Sequence, residues 1–391
     1  MTIIFFDDKT RETLLPLTFT RPTADLRIGI LKISEKWQHY FKGESAYQTV
    51  DYLQQKFTLK NSKEQIFING SICPNPDLLN SIIQLKNEEI LIKDGVYIAV
   101  KTNQKTLDFQ NLSFFKPVKC DKEFTKINFP EDIFRLNDVE LRADFDLITK
   151  GRASQKLSRT NTIIGDDIFV EEGVEAECCT FNTKYGPIYL GNDSQVWEGS
   201  HIRGSFALCN HAQIKMGAKI YGATTIGPNC RVGGEINNAV MWGNSAKGHD
   251  GYLGNAVIGE WCNFGADSNN SNLKNNYAEV KIWDYPTEKF RKTGLQFCGL
   301  IMGDHAKCAI NTMFNTGTVV GVGANVFGSG FPRNFVPDFS WGGSQGLEIY
   351  ALQKMFETTQ KVFERKNKVF DDIEKDIISE IFDQTKKYRR F

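Results

Sequence analysis

The chain has 391 residues, more than one common domain holds, so we expect two or three structural units. Lys and Arg total 47 and Asp and Glu total 47, and this balance removes the electrostatic case for a nucleic-acid or membrane-surface partner. Nine cysteines without a C-x-x-C pair, and five histidines without metal-ligand spacing, favour buried reduced thiols over a disulfide framework or a zinc site.

The sequence contains no apolar run of the ~18 residues that a membrane span requires. Its first residues, MTIIFFDDKTRE, carry neither a basic segment nor a small-residue cleavage site. We therefore expect a cytoplasmic protein without a membrane partner.

Residues 1–150 predict an α/β domain. Runs typical of strands are Ile3 to Phe6, Gln65 to Ile68, Ile90 to Ile92 and Val96 to Val100, and Pro76 to Leu85 has helical spacing. Only four of the 33 glycines lie in this part of the chain. The abrupt rise in glycine after it indicates a second architecture from residue 151.

From Thr162 onward, apolar residues recur every six positions. The longest unbroken register is Leu190, Val196, Ile202, Leu208, Ile214, Ile220, Ile226 and Val232. A period of six is typical of a parallel β-helix, in which each hexad forms one short strand and three hexads close one triangular coil. We expect residues 151–340 to form such a prism, with apolar side chains stacked inside.

Two interruptions break this register. Residues 267–297 must leave the prism as a long loop, a kind of segment that is usually functional, and residues 236–251 form a shorter irregularity. After the turn at 341–344, helical spacing predicts one or two amphipathic helices in residues 341–391 that pack on the prism or on a partner chain.

The most specific motif lies between Lys247 and Ala266, where the sequence reads KGHDGYLGNAVIGEWCNFGA. It contains H-x-x-Y-x-G-[DN] followed by N-[IF]-G-A. This pattern resembles the left-handed β-helix acetyltransferase domain of the bifunctional enzyme family that makes UDP-N-acetylglucosamine. The resemblance extends over residues 160–330.

The resemblance implies an acetyl-CoA-dependent N-acyltransferase that acts on an amino sugar, with glucosamine 1-phosphate as the favoured acceptor. An amine must lose a proton before it attacks a thioester, and imidazole titrates close to working pH, so His249 becomes the general base by resemblance. The alternative is that His249 has no catalytic role and only makes structural contacts at a corner of the coil. A homotrimer is also implied, because the family's site lies between chains.

By the same resemblance, other residues receive binding roles. The sugar contacts are Tyr252, Asn263, Asn272 and Lys215, and the acetyl-CoA contacts are Ala266, Ile310 and Gly328. Ala266 would offer its backbone N–H to the thioester oxygen as charge develops there. The Arg and two Lys of the family's sugar-phosphate pocket correspond to Lys215, Asn237 and Ala278 here, with Lys247, Lys274 and Lys281 near enough in sequence to compensate.

The N-terminal part carries a second resemblance. Thr10-Arg11, the run LPLT at 15–18 and Arg21-Pro22 resemble the start of a sugar-nucleotidyltransferase domain, which has a Rossmann-like fold. The residues suited to nucleotide or phosphate binding are Arg11, Arg21, Asp25 and Arg27. The whole layout resembles a divergent group in which an abbreviated nucleotidyltransferase-like domain is fused to the acetyltransferase prism and a helical tail.

This domain departs from the family at its phosphate loop and its metal ligand. Asp7-Asp8-Lys9 replaces the glycine loop that cradles a nucleoside triphosphate, and Ser71 stands where the family has the Asp that holds Mg²⁺. Residual nucleotidyl transfer and a purely structural or ligand-sensing domain therefore both remain open. Mg²⁺ is expected only if the domain is active.

Two other functions compete with acyl transfer. One is a sugar 1-phosphate nucleotidyltransferase that uses UTP or dTTP and whose β-helix only trimerises the protein. The other is a non-catalytic trimeric scaffold. A β-helix carbonic anhydrase is disfavoured, because His201 and His211 are ten residues apart rather than at the five-residue spacing expected of zinc ligands.

Overall fold

The computed structural model describes residues 2–62, 64–109 and 111–391, and the chain divides into two compact units. Unit 1 comprises Met1–Arg27 and Leu31–Phe129, and unit 2 comprises Ile28–Ile30 and Pro130–Phe391. The contacts thus divide the chain earlier than the boundary expected at residue 150, which stays a prediction. No helix of the described residues is long and apolar enough to cross a membrane.

The described residues of unit 1 form six strands and four short helices, with two 3₁₀ turns at Thr23–Asp25 and Leu112–Phe114. In chain order the elements are β1 (Thr2–Phe6), α1 (Thr10–Thr13), α2 (Ile33–Phe41), β2 (Ser45–Gln48), α3 (Asp51–Gln54), β3 (Gln65–Asn69), α4 (Pro76–Ile83), β4 (Glu89–Lys93), β5 (Val96–Lys101) and β6 (Lys116–Lys119).

These strands form one mixed sheet in the order β2-β1-β3-β5-β4-β6. β1 pairs in parallel with both β2 and β3, whereas β5 runs antiparallel to β3 and β4. All five residues of β1 are buried, which explains its unbroken apolar sequence TIIFF. The carboxyl ends of β1 and β3 therefore open on one edge of the sheet, where a ligand crevice is expected.

Unit 2 begins with two helices and continues as many short strands. The elements are α5 (Pro130–Arg135), α6 (Asn137–Thr149), β7 (Thr162–Ile164), β8 (Ile168–Val170), β9 (Glu175–Ala176), β10 (Thr180–Asn182), β11 (Ile188–Leu190), β12 (Gln195–Val196), β13 (His201–Arg203), β14 (Phe206–Leu208), β15 (Gln213–Ile214), β16 (Lys219–Tyr221), β17 (Thr224–Ile226), β18 (Arg231–Val232), β19 (Glu235–Met241), β20 (Ala246–Lys247), β21 (Tyr252–Ile258), β22 (Asn263–Phe264), β23 (Asn269–Asn270), β24 (Lys281–Asp284), β25 (Lys289–Lys292), β26 (Ile301–Met302), β27 (Lys307–Cys308), β28 (Met313–Phe314), β29 (Val319–Val320), β30 (Asn325–Val326), β31 (Phe335–Val336), β32 (Ser340–Gly343), β33 (Gly346–Ile349), α7 (Leu352–Glu364) and α8 (Asp372–Gln384), with a 3₁₀ turn at Lys386–Tyr388.

The strands of unit 2 stack in parallel ladders around a common core. One ladder runs from β9 through β12, β15, β18, β20, β22, β27 and β30 to β32. All eight residues of the longest predicted register are buried in one hydrophobic cluster. The predicted fold class, an α/β domain followed by a hexapeptide-repeat β-helix and C-terminal helices, is confirmed.

The corners of the prism need backbone that most residues avoid. The corner residues Asp193, His211, Asn229, Asn244, Trp261 and His305 have positive φ values between 53° and 64°. Asn and Asp tolerate this left-handed conformation better than other side chains. Backbone geometry thus accounts for Asp193, Asn229 and Asn244 at these corners.

The interruption predicted at 267–297 is a real excursion, although it starts slightly later than expected. Asn269–Asn270 still forms β23 in the prism. Asn263 pairs with Lys307, 44 positions further along, instead of the usual 18. Within the excursion, β24 and β25 form an antiparallel hairpin.

The tail packs on the prism, but its first residues are not helical. β32 and β33 form an antiparallel hairpin, and the helices begin only at Leu352. On α7, Phe363 stacks on Trp261 of the prism with ring centroids 4.2 Å apart. The apolar face predicted for the tail therefore covers the prism of the same chain.

Candidate functional site

His249 lies on the corner that joins β20 to β21. Its side chain is exposed to solvent. The coil that precedes this corner is short, because Arg231 pairs with Ala246, 15 positions on, whereas Gln213 pairs with Arg231, 18 positions on. The irregularity predicted at 236–251 is thus a coil three residues shorter than its neighbour.

Four predicted site residues lie at equivalent positions on successive coils. Ala246, Asn263, Lys307 and Asn325 stack in one ladder, and His249, Ala266, Ile310 and Gly328 each follow three residues later. Ile310 is 67 % exposed. The structure therefore places the proposed base and the proposed acetyl-CoA contacts in one line along an edge of the prism.

A cluster of amides surrounds the Tyr252 hydroxyl. Asn272 Nδ2 donates to Tyr252 Oη at 2.9 Å and to Asn255 Oδ1 at 2.8 Å, and Asn237 Nδ2 lies 3.3 Å from the same hydroxyl. A side chain at position 254 would collide with the Tyr252 ring, so glycine is required there. The structure brings together the predicted sugar residues Tyr252 and Asn272.

The other two predicted sugar residues, Asn263 and Lys215, belong to the ladder that runs from β9 to β32, Asn263 on β22 and Lys215 directly after β15. Asn263, on β22, is exposed. Lys215 Nζ lies 3.7 Å from the ring centroid of Trp197 and donates to Gln213 Oε1 at 2.5 Å. The Cε atom of Lys215 lies 4.0 Å from the position that a Cβ atom would take on Gly248. Lys215 therefore borders the His249 corner.

Lys247 does not reach solvent, so it cannot supply the missing phosphate charge. It is 2 % exposed, and its Nζ donates to three backbone carbonyls. Burial lowers the pKa of Lys247 to about 8, against the opposing effect of Asp250. Of the other candidates, Lys274 donates to the Glu279 carbonyl at 3.1 Å, and Lys281 pairs with Lys292 in the β24–β25 hairpin.

Unit 1 contains a cavity of about 680 Å³ at the carboxyl ends of its central strands. Its lining includes the predicted phosphate residue Arg11 together with Asp7, Asp8, Lys9 and Lys126. Tyr97 and Phe109 add aromatic surface. The cavity therefore offers charges of both signs beside aromatic rings.

The carboxylates of this cavity are already hydrogen-bonded. Asp7 accepts from Thr23 N and Thr49 Oγ1, and Asp8 accepts from Thr10 N and Asn69 Nδ2. Burial raises the pKa of Asp7. Burial also opposes ionisation of Asp8, but Lys126 and the hydrogen bonds outweigh it and lower its pKa.

These carboxylates do not fit a magnesium site of the family's kind. Each of their four oxygens accepts a hydrogen bond, and the Ser71 hydroxyl donates to Asn69 Oδ1 at 2.7 Å. Among the residues that the structure describes, no group of three or more His, Cys, Asp or Glu side chains could hold a metal ion.

The remaining predicted phosphate residues lie outside the lining of this cavity, in a buried ion network. Arg21 Nη1 lies 3.6 Å from Asp25 Oδ2, and Arg27 Nη2 lies 3.8 Å from Glu35 Oε2. Lys32 Nζ also binds Asp25 at 2.9 Å. Their charges face each other, so the structure brings only Arg11 of the four to the cavity.

Sequence reasoning missed Asn237 as a partner of Tyr252, Asn255 as a partner of Asn272, and Lys126 as part of the cavity lining. The sequence identifies Asn237 only as a position where the family has a cation and this chain does not. Lys126 lies far along the chain from the Asp8 that it approaches at 3.7 Å. No local motif signals such a contact, because it depends on the tertiary fold.

Comparison with known proteins agrees with both resemblances. Residues 3–153 match the model of the family described as sugar nucleotidyl transferase. The chain is similar to the bifunctional GlmU proteins. It is 32 % identical to GlmU of Methanocaldococcus jannaschii over 22 % of this chain and 21 % of that protein, and 24 % identical to GlmU of Methanococcus aeolicus over 64 % and 53 %.

The match to GlmU of Synechococcus elongatus is 24 % identical over 45 % of this chain and 36 % of that protein. The chain thus spans between a fifth and about half the length of these GlmU relatives. Among solved structures, the UDP-N-acetylglucosamine acyltransferase from Campylobacter jejuni aligns with a TM-score of 0.28 at 15 % identity, covering 60 % of this chain and 83 % of that chain.

Proposed function

We propose that unit 2 transfers an acetyl group from acetyl-CoA to the amine of an amino sugar, with glucosamine 1-phosphate as the favoured acceptor. The observation that carries this proposal is the line of His249, Ala266, Ile310 and Gly328 along one edge of the prism, with the Lys215 side chain beside it. The GlmU likeness supports the same reading.

The reaction requires a base at the amine and a donor at the thioester oxygen. His249 takes a proton from the amino group of the sugar while the nitrogen of that amino group attacks the thioester carbonyl. The C–N bond forms, the C–S bond breaks, and the proton passes from His249 to the departing thiolate. The N–H of Ala266 stabilises the oxyanion. Tyr252 and Asn272 hold the sugar, and Lys215 and Asn263 border it.

The full site requires a second chain in this proposal, since the implied acetyltransferases form homotrimers. Ile310 is an exposed apolar side chain beside the line of site residues, as expected of a residue that meets acetyl-CoA or a neighbouring subunit. The trimer, the acetyl-CoA contacts and the cytoplasmic location stay predictions.

Thiol release from acetyl-CoA tests the proposal, with a panel of amino-sugar phosphates and nucleotide-linked amino sugars as acceptors. We expect release with glucosamine 1-phosphate and a loss of roughly 10²- to 10⁴-fold in kcat for His249→Ala. His201→Ala is the matched control, because His201 is an exposed prism histidine on β13, three coils before β21. Unchanged kcat in His249→Ala would remove His249 from the mechanism, and no release with any acceptor would contradict acyl transfer.

The second candidate is nucleotidyl transfer in unit 1, which the family match over residues 3–153 and the cavity favour. Its test is pyrophosphate release from UTP or dTTP with sugar 1-phosphates, with and without Mg²⁺. Release that is lost in Lys126→Met would assign the cavity to this reaction, and no release with any nucleotide would contradict this candidate.

A further inference from the structure

Lys247 occupies a position that the repeat reserves for apolar side chains. It pairs with Val232 at the inward position of the ladder, and the inward residues of neighbouring coils include Ile214, Phe264 and Cys308. All of these residues are buried. A buried ammonium is strongly destabilising unless hydrogen bonds replace its water, so the contacts of Lys247 need an explanation.

The ammonium meets three carbonyls at the corner that carries His249. Nζ donates to Gly233 O at 3.2 Å, to His249 O at 3.0 Å and to Asp250 O at 3.3 Å. A lysine ammonium has three protons to donate, so the contacts match its capacity. The side chain thus ties the His249 corner to the preceding coil from inside the prism.

Other coils connect a corner to the following coil through a hydroxyl. Ser268 Oγ lies 2.8 Å from Gly265 O and 3.1 Å from Ala309 O, which share its single proton, and Ser200 Oγ donates to Lys215 O at 3.1 Å. The carbonyls of Lys215, Gly265 and Ala309 are equivalent to that of Gly233, since each follows the inward residue of its strand.

The His249 coil cannot use a hydroxyl in this way. Gly251 stands immediately before β21, where Ser200 and Ser268 stand before β13 and β23. A Cβ atom on Gly251 would collide with the Ser268 carbonyl, and the φ of 112° also favours glycine. A serine hydroxyl therefore cannot stand before β21, and the connection seen in this coil is the one that Lys247 makes back to Gly233 O of the preceding coil.

We infer that Lys247 is a positioning residue that holds the His249 corner in the conformation needed for proton abstraction. This inference rests on the proposed function of His249. Because the ammonium binds the carbonyl of His249 itself, it fixes the peptide from which the imidazole projects. A small displacement of a catalytic group lowers the rate of the chemical step more than it weakens substrate binding.

Lys247→Met tests this role, because methionine fills a similar volume without a donor. We expect the kcat of acetyl transfer to fall about tenfold to a hundredfold while KM for the amino sugar changes less than threefold. Lys219→Met is the matched control, since Lys219 lies at an exposed position of β16. It should leave kcat unchanged.

A spectroscopic measurement separates this inference from the proposed function. The chain has five histidines, so the imidazole ¹³C signals can be assigned with His249→Gln. We expect the His249 signal to shift or broaden in Lys247→Met while the other four remain in place. This result does not require any acetyl transfer, so a failure of the proposed acceptor would leave the positioning test intact.

Lys247→Gln serves if the methionine variant does not fold. Its amide is one bond shorter than the lysine side chain and cannot reach all three carbonyls, so a smaller change of the same signal is expected. An unchanged His249 signal and an unchanged kcat in either folded variant would overturn the inference. Equal shifts of all five histidine signals would also overturn it, since they would indicate a general change of the prism.

Discussion

The ion network of unit 1 around Asp25 and Glu35 and the His249 corner of unit 2 use their charged residues in opposite ways. In unit 1, Arg21 and Arg27 face the carboxylates of Asp25 and Glu35. At the corner, His249 is exposed to solvent, and the buried cation Lys247 is bound by backbone carbonyls. Buried charges that compensate each other are not available to a ligand. An exposed side chain on a fixed corner is available for chemistry.

This difference decides how far each family motif can be carried over to this chain. Arg21 and Arg27 match a phosphate-binding motif in sequence, but their guanidinium groups already face carboxylates. His249 matches its motif and is also placed in line with Ala266 and Ile310. A motif residue therefore supports a function only when its side chain is free to meet a ligand.

The largest effect that we expect from testing this contrast is the loss of stability in Arg21→Met. Removing one partner of a buried ion pair lowers the free energy of unfolding by about 3 kcal/mol, because the other charge loses its compensation. Lys32, 2.9 Å from Asp25, limits this loss. Urea unfolding of unit 1, followed by fluorescence, measures the change.

Lys9→Met is the control for Arg21→Met, since Lys9 is an exposed residue that lines the cavity. We expect it to change stability by less than about 0.5 kcal/mol. If Arg21→Met remained stable but lost the binding of UTP, measured by calorimetry, Arg21 would be a ligand residue, as its sequence motif suggests.

The second effect concerns a buried carboxylate of the prism. Asp338 accepts from Val322 N at 2.7 Å and from Tyr285 Oη at 2.9 Å, yet burial raises its pKa to about 6. Its pKa in the unfolded chain is about 3.9. Between these values the folded state binds more protons than the unfolded state, so stability falls as the pH rises from about 4 to about 6.

Asp338→Asn removes this pH dependence. We expect the wild type to lose on the order of 3 kcal/mol relative to the Asn variant between pH 4 and pH 7. Denaturant unfolding of both proteins at several pH values measures the difference. A constant difference across this range would show that Asp338 has the same pKa in both states.

The β-helix could be predicted because its physical rule is local. In a regular coil an inward residue stacks on a residue 18 positions away, as Ile214 does on Val232, so the apolar period alone predicts strands, corners and core. The mixed order of the unit 1 sheet could not be read in this way. Its strands are joined by connections of varied length, and an apolar run such as that of β1 does not show which strands it pairs with.

The position of His249 could be predicted from its motif, but the surroundings of the corner could not. The sequence offers Lys247 as a cation for the sugar phosphate, because the shortened coil shifts the phase of the repeat and hides its inward position. The amide partners of Tyr252 lie on two different elements, at Asn237 and Asn272. Such contacts follow from the stacking of coils rather than from spacing within the motif.

The smallest effect that we expect concerns the predicted sugar contacts. Asn272 donates to Tyr252 at 2.9 Å, and one such hydrogen bond contributes about 1 kcal/mol. If the amide orients the Tyr252 hydroxyl toward the sugar, Asn272→Ala raises KM for the amino sugar about fivefold and leaves kcat within twofold. Steady-state kinetics of acetyl transfer measure both constants.

Asn275→Ala is the control for Asn272→Ala, because Asn275 is an exposed asparagine of the same excursion. Tyr252→Phe removes the other partner of the hydrogen bond and should raise KM similarly. Since both changes break one interaction, the double variant should lose no more than either single variant. Additive losses would mean that Tyr252 and Asn272 meet the sugar separately, and an effect of Asn272→Ala no larger than that of Asn275→Ala would exclude Asn272 from the site.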